Sequence, residues 1–512
     1  MSASRTPRAG EPLVLGIDMG TASSKGVLTS VSGEVLATAV RDRPHSMKQP
    51  RPSWAEVDAE AVWWADLTTI SRELVRAAGA GVVAGVCVSG VGPCLVLCGP
   101  DDRPLRPAIL YGIDMRAQQE IDELTRDLGP EQILRRCGKA LSSQAVGPKL
   151  AWLARHEPDV FARGRRWFAS SSYLAFRLTG EYVLDHHTAS QCDPLYDVHA
   201  RDWAQPWADD LLGHLGRPRL VWPTDVVGVV TPTAAEETGL PVGTPVCAGT
   251  IDAAAESFSA GVRTAGEAML MYGSTMFLMS PLERPLAHPV LWTTAGVTPG
   301  TYALAAGTAT AGLLTAWVRE LVGATDYATL AREAAAVPAG SDGLVVLPYL
   351  AGERTPLFDP RARGVVAGLG LNHTRGHLYR AVYEGIAYGV RQIFELIDSD
   401  LTPVERVVAV GGGTQTPLWP QIVSDVTGRV QVVPAETIGA SYGDALMAAI
   451  GVGLVPPETS WMVEATTVRP DPRTRSTYDE LYAAFVDLYP ATRPVLHTLA
   501  TLQERSAGPA AG

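Results

Sequence analysis

One stretch near the start of the chain, residues 13–28, constrains the fold more than any other. Its apolar run ends in Asp18, and glycine, small hydroxyl residues and Lys25 follow before a second apolar run begins at Gly26. An apolar run that ends in an acid predicts a buried strand carrying a carboxylate at its tip. The small residues after it are typical of a tight turn whose backbone N–H groups can face an anion.

The residues after this turn favour a hairpin over a helix. Residues 27–31 and 34–40 are predicted to form two more strands around Ser32-Gly33. A P-loop or a dinucleotide-binding fold would instead place a helix directly after the glycines. Taken alone, the stretch is explained equally well by an ordinary hairpin at the edge of a sheet.

A second copy of the pattern lies in the other half of the chain. Residues 266–280 again predict a strand, a Gly273-Ser274-Thr275 turn and a strand, and an isolated acid, Asp252, precedes them. Two such hairpins and two strand-end acids indicate a nucleotide phosphate held between two similar domains. The predicted division of the chain is a disordered start at 1–12, domains at 13–250 and 251–500, and a flexible tail at 501–512.

Composition restricts the class of protein. With 512 residues and 46% hydrophobic content, the chain can form cores for two or three domains. A net charge of −12 argues against nucleic acid or an anionic membrane as the main partner. The uncharged stretch at residues 81–100 contains five glycines and a central proline, so it predicts short strands rather than a membrane helix. Six scattered cysteines and no secretory signal predict buried thiols in a reducing cytoplasm.

Two polar segments are candidate sites, the first for a small ligand such as a sugar and the second for a metal ion. Asp114 and Arg116 follow a predicted strand, where the carboxylate could accept and the guanidinium could donate hydrogen bonds to hydroxyl groups of a ligand such as a sugar. A surface ion pair explains these two residues equally well. Residues 185–193 form a polar loop with adjacent histidines, but the loop lacks the His-x3-His spacing of a zinc helix.

Glycines mark two strand ends in the second half. Gly307 ends a predicted strand of small residues, and Gly411-Gly412-Gly413 joins a strand to a helix. Thr416 is the predicted N-cap of that helix, with Pro417 as its first residue. A triple glycine lets a flat ligand lie against bare backbone.

Glycines also occur inside a long predicted helix, residues 374–397. Gly385 and Gly389 share its apolar face, although each costs about 1 kcal/mol relative to alanine within a helix. Close packing against another element is the usual compensation. We therefore expect this face to lie at a tight interface.

Eight motifs, in order along residues 13–500, resemble those of the FGGY family of carbohydrate kinases, and most closely its xylulokinase members. They are Gly-Ile-Asp-Met-Gly-Thr (16–21), Trp-Ala-Glu-Val-Asp (54–58) with Trp-Trp (63–64), Gly-Pro-Lys-Leu (147–150), Leu-Thr-Gly-Glu-Tyr (178–182), Ala-Gly-Thr-Ile-Asp (248–252), Leu-Ala-Gly-Glu-Arg-Thr-Pro (350–356), Gly-Leu-Gly-Leu-Asn-His (368–373) with Glu-Gly (384–385), and Gly-Gly-Gly (411–413) with Leu-Trp-Pro-Gln-Ile-Val-Ser-Asp-Val-Thr-Gly (418–428).

The resemblance implies an α/β fold of two ribonuclease-H-like domains of the actin and sugar-kinase superfamily, with ATP and a sugar in the cleft between them. It implies ATP-dependent transfer of the γ-phosphate to a hydroxyl of a ketose or a related sugar or polyol, in the cytoplasm. Whether the chain acts alone or as a homodimer stays open.

The resemblance also implies roles for individual residues. Asp252 matches the catalytic base, and Asp18 matches the acid that holds Mg²⁺, usually through water. The remaining matches are phosphate contacts at Gly20, Thr21, Ser23, Ser24, Lys25, Gly273, Ser274 and Thr275, and adenosine contacts at Gly307, Gly412 and Gly413.

The departures from the family pattern fall on the sugar side. Xylulokinases typically carry Gly-Gln-Met-His-Gly where this chain has Gly-Val-Gly92-Pro93-Cys, and Trp-Asn-Asp-x-Arg where it has a longer segment that keeps Asp114 and Arg116. We expect these four numbered residues to contact the sugar. Loss of the imidazole removes a polar partner worth about 1–3 kcal/mol. Another pentulose, a deoxy-sugar or a polyol is therefore a candidate substrate beside D-xylulose.

Alternatives to a sugar kinase are a non-catalytic sugar-binding regulatory relative and an actin-like ATPase. A non-catalytic relative should have lost Asp252 or a phosphate hairpin, and both are present. The Trp-rich segment at 54–64 is typical of sugar kinases and not of actin-like ATPases. Asp252 itself has an alternative role, because an aspartate before Ala253 could be the N-cap of the following helix.

Overall fold

A computed structural model describes residues 6–43, 46–401, 403–436 and 438–506 of the chain. The strands of the first half are β1 (Pro12–Met19), β2 (Ser23–Ser30), β3 (Val35–Asp42), β4 (Glu56–Val57), β5 (Val82–Gly90), β6 (Val96–Cys98), β7 (Ala108–Ile109), β8 (Arg166–Phe168), β9 (Val183–Asp185), β10 (Tyr196–Asp197), β11 (Asp202–Trp203), β12 (Arg219–Val221), β13 (Val226–Val229) and β14 (Pro245–Cys247). Its helices are α1 (Ala65–Ala78), α2 (Gln118–Leu128), α3 (Pro130–Cys137), α4 (Val146–His156), α5 (Pro158–Arg163), α6 (Ser170–Thr179), α7 (His186–Ala189), α8 (Trp207–Leu212), α9 (Pro232–Thr238) and α10 (Asp252–Ser259).

The second half follows the same order of hairpin and then helices. Its strands are β15 (Glu267–Tyr272), β16 (Met276–Leu282), β17 (Trp292–Ala295), β18 (Tyr302–Gly307), β19 (Val345–Leu347), β20 (Val365–Ala367), β21 (Arg406–Val410), β22 (Gln431–Pro434) and β23 (Glu464–Val468). Its helices are α11 (Gly312–Leu321), α12 (Tyr327–Ala335), α13 (Arg375–Asp400), α14 (Leu418–Thr427), α15 (Ala440–Gly451) and α16 (Arg475–Ser506).

Two large sheets share one topology. The first half forms a six-stranded sheet in the order β13-β14-β5-β1-β2-β3, and the second half forms a seven-stranded sheet in the order β17-β18-β16-β15-β21-β22-β23. In each sheet an antiparallel hairpin (β1–β2 or β15–β16) lies beside a parallel strand (β5 or β21). The predicted pair of similar α/β domains is confirmed, with one large sheet on each side of residue 250.

Helices α10 and α15 pack against each other between the sheets, and α15 also covers β1 of the first sheet. The contacts are made by backbone. A Cβ atom on Gly443 would lie 1.9 Å from the carbonyl oxygen of Ala255, and one on Gly16 would lie 2.0 Å from that of Ser441. Neither position has room for a side chain, so both glycines are required for α15 to lie against α10 and β1.

Several predicted boundaries need correction. Pro12 belongs to β1, and the Gly10 N–H donates to the Ala80 carbonyl oxygen, so the described part of the N-terminal segment is ordered. Residues 501–506 continue α16, and the rest of the predicted tail (507–512) lies outside the described residues. Helix α14 begins at Leu418 with Pro417 as its cap, because residues 412–415 form a 3-10 turn that displaces the start from Thr416.

Within the described ranges no helix has both the length and the apolarity needed to cross a membrane. Residues 81–100 form β5 and β6 around a loop, as their glycines predicted. All six cysteines are buried free thiols.

The two helical glycines of α13 have different surroundings. A Cβ atom on Gly385 would lie 2.2 Å from the Val346 carbonyl oxygen, whereas the nearest atom to one on Gly389 is the Thr308 methyl at 3.8 Å. The tight interface predicted for this helix face is confirmed at Gly385. At Gly389 the contact distance is ordinary.

We expect Gly385→Ala to destabilise the protein by about 1–3 kcal/mol, because the added methyl forces helix and strand apart. Gly389→Ala is the matched control in the same helix, and it should be neutral or stabilising by up to about 1 kcal/mol, since alanine has the higher helix propensity. Melting temperatures of the two variants test the difference. Equal melting temperatures would contradict the packing described for Gly385.

Candidate active site

A cavity of about 340 Å³ lies between the two halves of the chain. The ends of β1 and β5 and the start of α10 form its floor, through Asp18, Gly92 and Asp252. Strands of the second sheet form the facing wall. The cavity therefore lies where the sequence predicted a ligand between two domains.

Three acidic side chains line the floor of the cavity, namely Asp18 on β1 and Asp252 and Glu256 one turn apart on α10. A fourth, Asp444 on α15, is fully buried next to them. Ser89 Oγ lies 2.6 Å from Asp444 Oδ2 and 3.3 Å from Asp18 Oδ1, so it joins two of these carboxylates. The close packing of α10 and α15 on β1 is what brings residues so distant in sequence together.

Burial and mutual repulsion raise the pKa values in this cluster. Burial raises the pKa of Asp18 to about 6, although Lys25 and Ser89 lower it in part. Burial, and then the charge of Asp18, raise the pKa of Glu256 to about 7. The same two causes raise the pKa of Asp252 well above its usual value. Such a cluster of carboxylates is stabilised by a proton or a cation.

Asp252 faces the cavity and is not a helix cap. Helix α10 begins at Asp252 itself and Ile251 occupies the cap position. The carboxylate accepts a hydrogen bond from the Ala253 N–H at 2.7 Å, which leaves its other oxygen for the cavity. The N-cap alternative for Asp252 is therefore wrong.

The first predicted phosphate loop is shorter than expected. The turn comprises residues 20–22, whereas Ser23, Ser24 and Lys25 already belong to β2. Ser24 Oγ donates to Asp66 of α1 at 2.7 Å, on the face of the sheet away from the cavity. Its side chain is thus committed to packing, and the prediction that Ser24 contacts phosphate is corrected to this role.

Gly20, Thr21 and Lys25 remain close to the cavity. Gly20 closes the turn by donating its N–H to the Ser23 carbonyl oxygen. Thr21 Oγ1 lies 3.2 Å from the hydroxyl of Tyr111, which lines the cavity. Lys25 follows Ser24 in β2, so its side chain leaves the sheet on the face opposite to Asp66. Its charge partly offsets the raised pKa values of Asp18 and Glu256.

The second predicted phosphate loop has the expected form. Thr275 lines the cavity at the turn between β15 and β16. The carbonyl oxygens of Gly273 and Ser274 accept hydrogen bonds from the first N–H groups of α11. These contacts fix the turn against the helix.

The three predicted adenosine glycines differ in accessibility. Gly307 is buried at the end of β18, where a Cβ atom would lie 2.9 Å from the Met276 carbonyl oxygen. A Cβ atom on Gly413 would lie 2.8 Å from the Trp419 ring. Gly412 is exposed, and no described atom lies within 4 Å of its Cβ position. Packing explains the first two glycines, and Gly412 alone of the three has open space above it.

Asp114 and Arg116 are placed away from the cavity. Arg116 donates to both carboxylate oxygens of Asp114 and pairs with Glu56 at 2.8 Å, and both members of the Asp114–Arg116 pair are buried. Asp114 also accepts from the Ala55 N–H at 2.6 Å. The pair is therefore neither a surface ion pair nor part of the cavity wall, since both side chains are buried and neither lines the cavity.

The cavity has a polar wall that the sequence did not predict. Lys139 donates to the carbonyl oxygens of Ser190 and Thr293 and pairs with Asp193 at 3.1 Å. His187 Nδ1 lies 2.7 Å from the Ala295 carbonyl oxygen. Ser142, Gln144 and Gln191 complete this wall.

Burial fixes the protonation state of His187. It lowers the pKa of the imidazole to about 4, so the ring is neutral at physiological pH. Nδ1–H then donates to the Ala295 carbonyl oxygen, and Nε2 accepts from the Gln191 amide at 3.0 Å. The amide oxygen of Gln191 is left as a fixed acceptor beside the cavity.

The opposite wall is largely apolar. It is formed by side chains on one face of the second sheet, namely Met271, Phe277, Met279, Trp292 and Ala305. Pairing explains their alignment, since Met279 lies opposite Ala305, and Ala305 lies opposite Trp292. Gly92 faces the cavity beside Val91, whereas Pro93 is buried behind it.

Comparison with known proteins agrees with this geometry. Models of the N-terminal and C-terminal domains of the FGGY family of carbohydrate kinases match residues 13–259 and 268–452. The crystal structure of xylulose kinase from Rhodospirillum rubrum is 33% identical, with a TM-score of 0.88, and the match covers 95% of this chain and all of that one.

Two further relatives match over most of their length. Xylulose kinase of Bacillus subtilis is 27% identical, over 94% of this chain and 97% of its own. Glycerol kinase of Alkalilimnicola ehrlichii is 31% identical, over 86% of this chain and 90% of its own. Two similar domains around an acid-floored cavity, matched along both halves, show that the chain belongs to the FGGY family of carbohydrate kinases, which phosphorylate sugars with ATP.

Proposed function

We propose that the chain transfers the γ-phosphate of ATP to a hydroxyl of a ketose or a related polyol, with Asp252 as general base. The observation that carries the proposal is a carboxylate that faces the cavity and whose pKa is raised by burial and by Asp18. A raised pKa makes a carboxylate a stronger base, and general bases work best when their pKa is near the working pH.

The proposed mechanism needs little chemistry from the protein beyond this base. Phosphoryl transfer depends mainly on position and on stabilisation of charge. The turns at residues 20–22 and 273–275 would hold the phosphates through backbone N–H groups, and Gly412 would leave space for the adenosine. Gln144, Gln191 and Lys139 would orient the sugar so that one hydroxyl meets Asp252.

The acidic floor fits a magnesium ion. Its ligands would be carboxylate oxygens, which Mg²⁺ prefers, and Mg²⁺ commonly keeps several waters and uses one or two carboxylates. Within the described residues no group of three or more acids, histidines or cysteines is arranged to hold a metal ion by itself. Asp18 holding the ion through water is consistent with that geometry. Bound there with ATP, the ion would neutralise phosphate charge.

The two walls of the cavity favour a substrate with one polar and one less polar side. Gly92 and Pro93 provide no side-chain donor or acceptor where xylulokinases carry Met and His.

Asp114 and Arg116 are not proposed to contact the sugar directly, because they lie away from the cavity. They are positioning residues, because the Asp114 N–H donates to the Tyr111 carbonyl oxygen and so fixes a residue that lines the cavity.

We expect Asp252→Asn to lower kcat by at least about a hundredfold, because an amide cannot take the proton. Its melting temperature should be unchanged or higher, since burying a neutral group beside Asp18 costs less than burying a charge. The side-chain oxygen of asparagine can still accept from the Ala253 N–H. A coupled ADP assay and a thermal melt test both parts. Near-native turnover would disprove the proposed base.

The acidic limb of the pH profile provides a second test. The charge of Glu256 raises the pKa of Asp252, and a general base works only when deprotonated, so activity should rise with pH through the titration of Asp252. Glu256→Gln removes that charge and should move the acidic limb of kcat/KM to lower pH. Glu320→Gln, an exposed position on α11, is the control and should leave the limb in place. A shift in the opposite direction for Glu256→Gln would contradict this electrostatic arrangement.

The substrate prediction concerns D-xylulose. Without the Met and His side chains, it should be a poor or secondary substrate relative to another pentulose, a deoxy-sugar or a polyol. ADP release measured over these three classes gives the ranking by kcat/KM. A tenfold or greater preference for D-xylulose over all others would overturn the prediction.

A further inference from the structure

We propose that Arg354, which lines the same cavity as Asp252, binds the phosphoryl group during its transfer. The inference rests on the proposed kinase reaction and adds a second catalytic residue to it. Arg354 lies in the loop between β19 and β20, within the motif Gly-Glu-Arg-Thr-Pro, and its side chain lines the cavity.

The charge state of the cavity wall is the first argument. Lys139 and Arg354 are cationic residues of this wall, and the charge of Lys139 is neutralised by Asp193. Arg354 donates from Nε and Nη2 to the Thr308 carbonyl oxygen. Among the residues that the structure describes, no carboxylate pairs with its guanidinium within 4 Å.

The nearest acid is already engaged. Glu353 Oε1 accepts from the Ala309 N–H at 2.6 Å and from the N–H of Arg354 itself at 2.7 Å. Burial lowers the pKa of the Arg354 guanidinium, and the charge of Glu353 offsets this lowering only in part. A buried cation that is incompletely compensated is stabilised when an anion binds beside it.

The position of Arg354 relative to the two turns is the second argument. Thr308, which holds the guanidinium, donates its N–H to the Met276 carbonyl oxygen at 2.9 Å, and Met276 directly follows the turn at 273–275. On the other side, Thr21 of the first turn contacts the Tyr111 hydroxyl. Arg354 lowers the pKa of that hydroxyl, whereas Asp252 raises it. The guanidinium therefore lies beside the second turn, and both its charge and that of Asp252 act on the Tyr111 hydroxyl, which contacts the first turn.

This placement suits the charge that develops during transfer. Asp252 takes the proton of the sugar hydroxyl, the hydroxyl oxygen forms a bond to the γ-phosphorus, and the bond to the bridging oxygen breaks, so ADP leaves with that electron pair. Negative charge spreads over the three non-bridging oxygens of the transferred group. A planar guanidinium can donate two parallel hydrogen bonds to them, in a site from which water is partly excluded.

The alternative ligand for Arg354 is a sugar hydroxyl. The two roles differ in kinetics, because a contact made only in the transition state changes kcat, whereas a contact to bound sugar changes KM. The unpaired charge favours phosphate, since an anion compensates a buried cation and a neutral hydroxyl does not.

The test compares Arg354→Gln and Arg354→Lys with the native chain. We expect Arg354→Gln to lower kcat by at least about a hundredfold, in line with transition-state arginines, while the sugar KM and the ADP Kd stay within about threefold. Arg354→Lys should lower kcat less than Arg354→Gln does, because lysine keeps the positive charge. It should still lower kcat, because lysine cannot donate two parallel hydrogen bonds from a planar group. Arg361→Gln, at an exposed position of the same loop, is the matched control and should retain native kcat.

Two measurements separate catalysis from structural support. Guanidinium ion added to Arg354→Ala should restore part of kcat, which a structural defect would not allow. ADP with aluminium fluoride should bind Arg354→Gln at least about tenfold more weakly than the native chain, while ADP alone binds equally. If Arg354→Gln does not fold, the kcat of Arg354→Lys decides, and a tenfold loss with unchanged KM supports the role.

Native kcat in Arg354→Gln or Arg354→Lys, or a rise in sugar KM at constant kcat, would overturn the inference while leaving the sugar kinase intact. A native chain that phosphorylates none of the pentuloses, deoxy-sugars or polyols would instead refute the proposed function, and the inference with it. The two failures are therefore distinguishable.

Discussion

Two backbone contacts at the centre of the molecule, Gly443 against Ala255 and Gly16 against Ser441, fix the position of every acidic group in the active site. Both leave no space for a Cβ atom, so helix α15 can occupy only one position between α10 and β1. Protein interiors deform little, and this contact therefore sets the spacing of the carboxylates more firmly than any hydrogen bond between them. The chemistry of the floor follows from packing.

That spacing has an electrostatic cost. Asp18, Asp252 and Glu256 are largely withdrawn from water beside one another, and burial is the first cause of the raised pKa of each. A structure selected for stability alone would replace such a group by apolar residues. Buried, mutually repelling carboxylates with raised pKa values at the floor of a cavity are typical of a site that binds a cation and moves a proton.

The sequence predicted the parts of this site that depend on local pattern. The two hairpins and the strand-end acid follow from alternation between apolar runs and small residues, which one chain segment displays by itself. Which face a side chain takes is a property of the whole sheet. Ser24 illustrates this, because its partner Asp66 lies 42 residues away on α1. Gly307 and Gly413 were predicted to contact the adenosine, whereas packing already explains both glycines. The sequence cannot separate these two roles, because a glycine required by packing and a glycine required by a ligand look alike.

The polar wall of the cavity could not be predicted from the sequence. His187, in the short helix α7, and Gln191, just after it, lie in a segment that was predicted to be a polar loop. Arg354 lies in a motif that the sequence analysis used only for the family resemblance. Their role depends on contacts between the two halves of the chain, which have no periodic signal. Asp114 and Arg116 gave a strong local signal and proved to pair with each other, because a carboxylate and a guanidinium two residues apart can satisfy each other as readily as a ligand.

The hydrogen bonds of that wall also cover the edge of the second sheet. Strand β17 is an edge strand, and its outward groups are occupied by Ser190 Oγ on the Ala295 N–H, His187 on the Ala295 carbonyl oxygen and Lys139 on that of Thr293. Open edges invite pairing with other chains. Because synthesis proceeds from the N-terminus, these covering residues leave the ribosome before the strand that they protect. The order of the two halves along the chain thus makes the groups that cover this edge available by the time the strand is made.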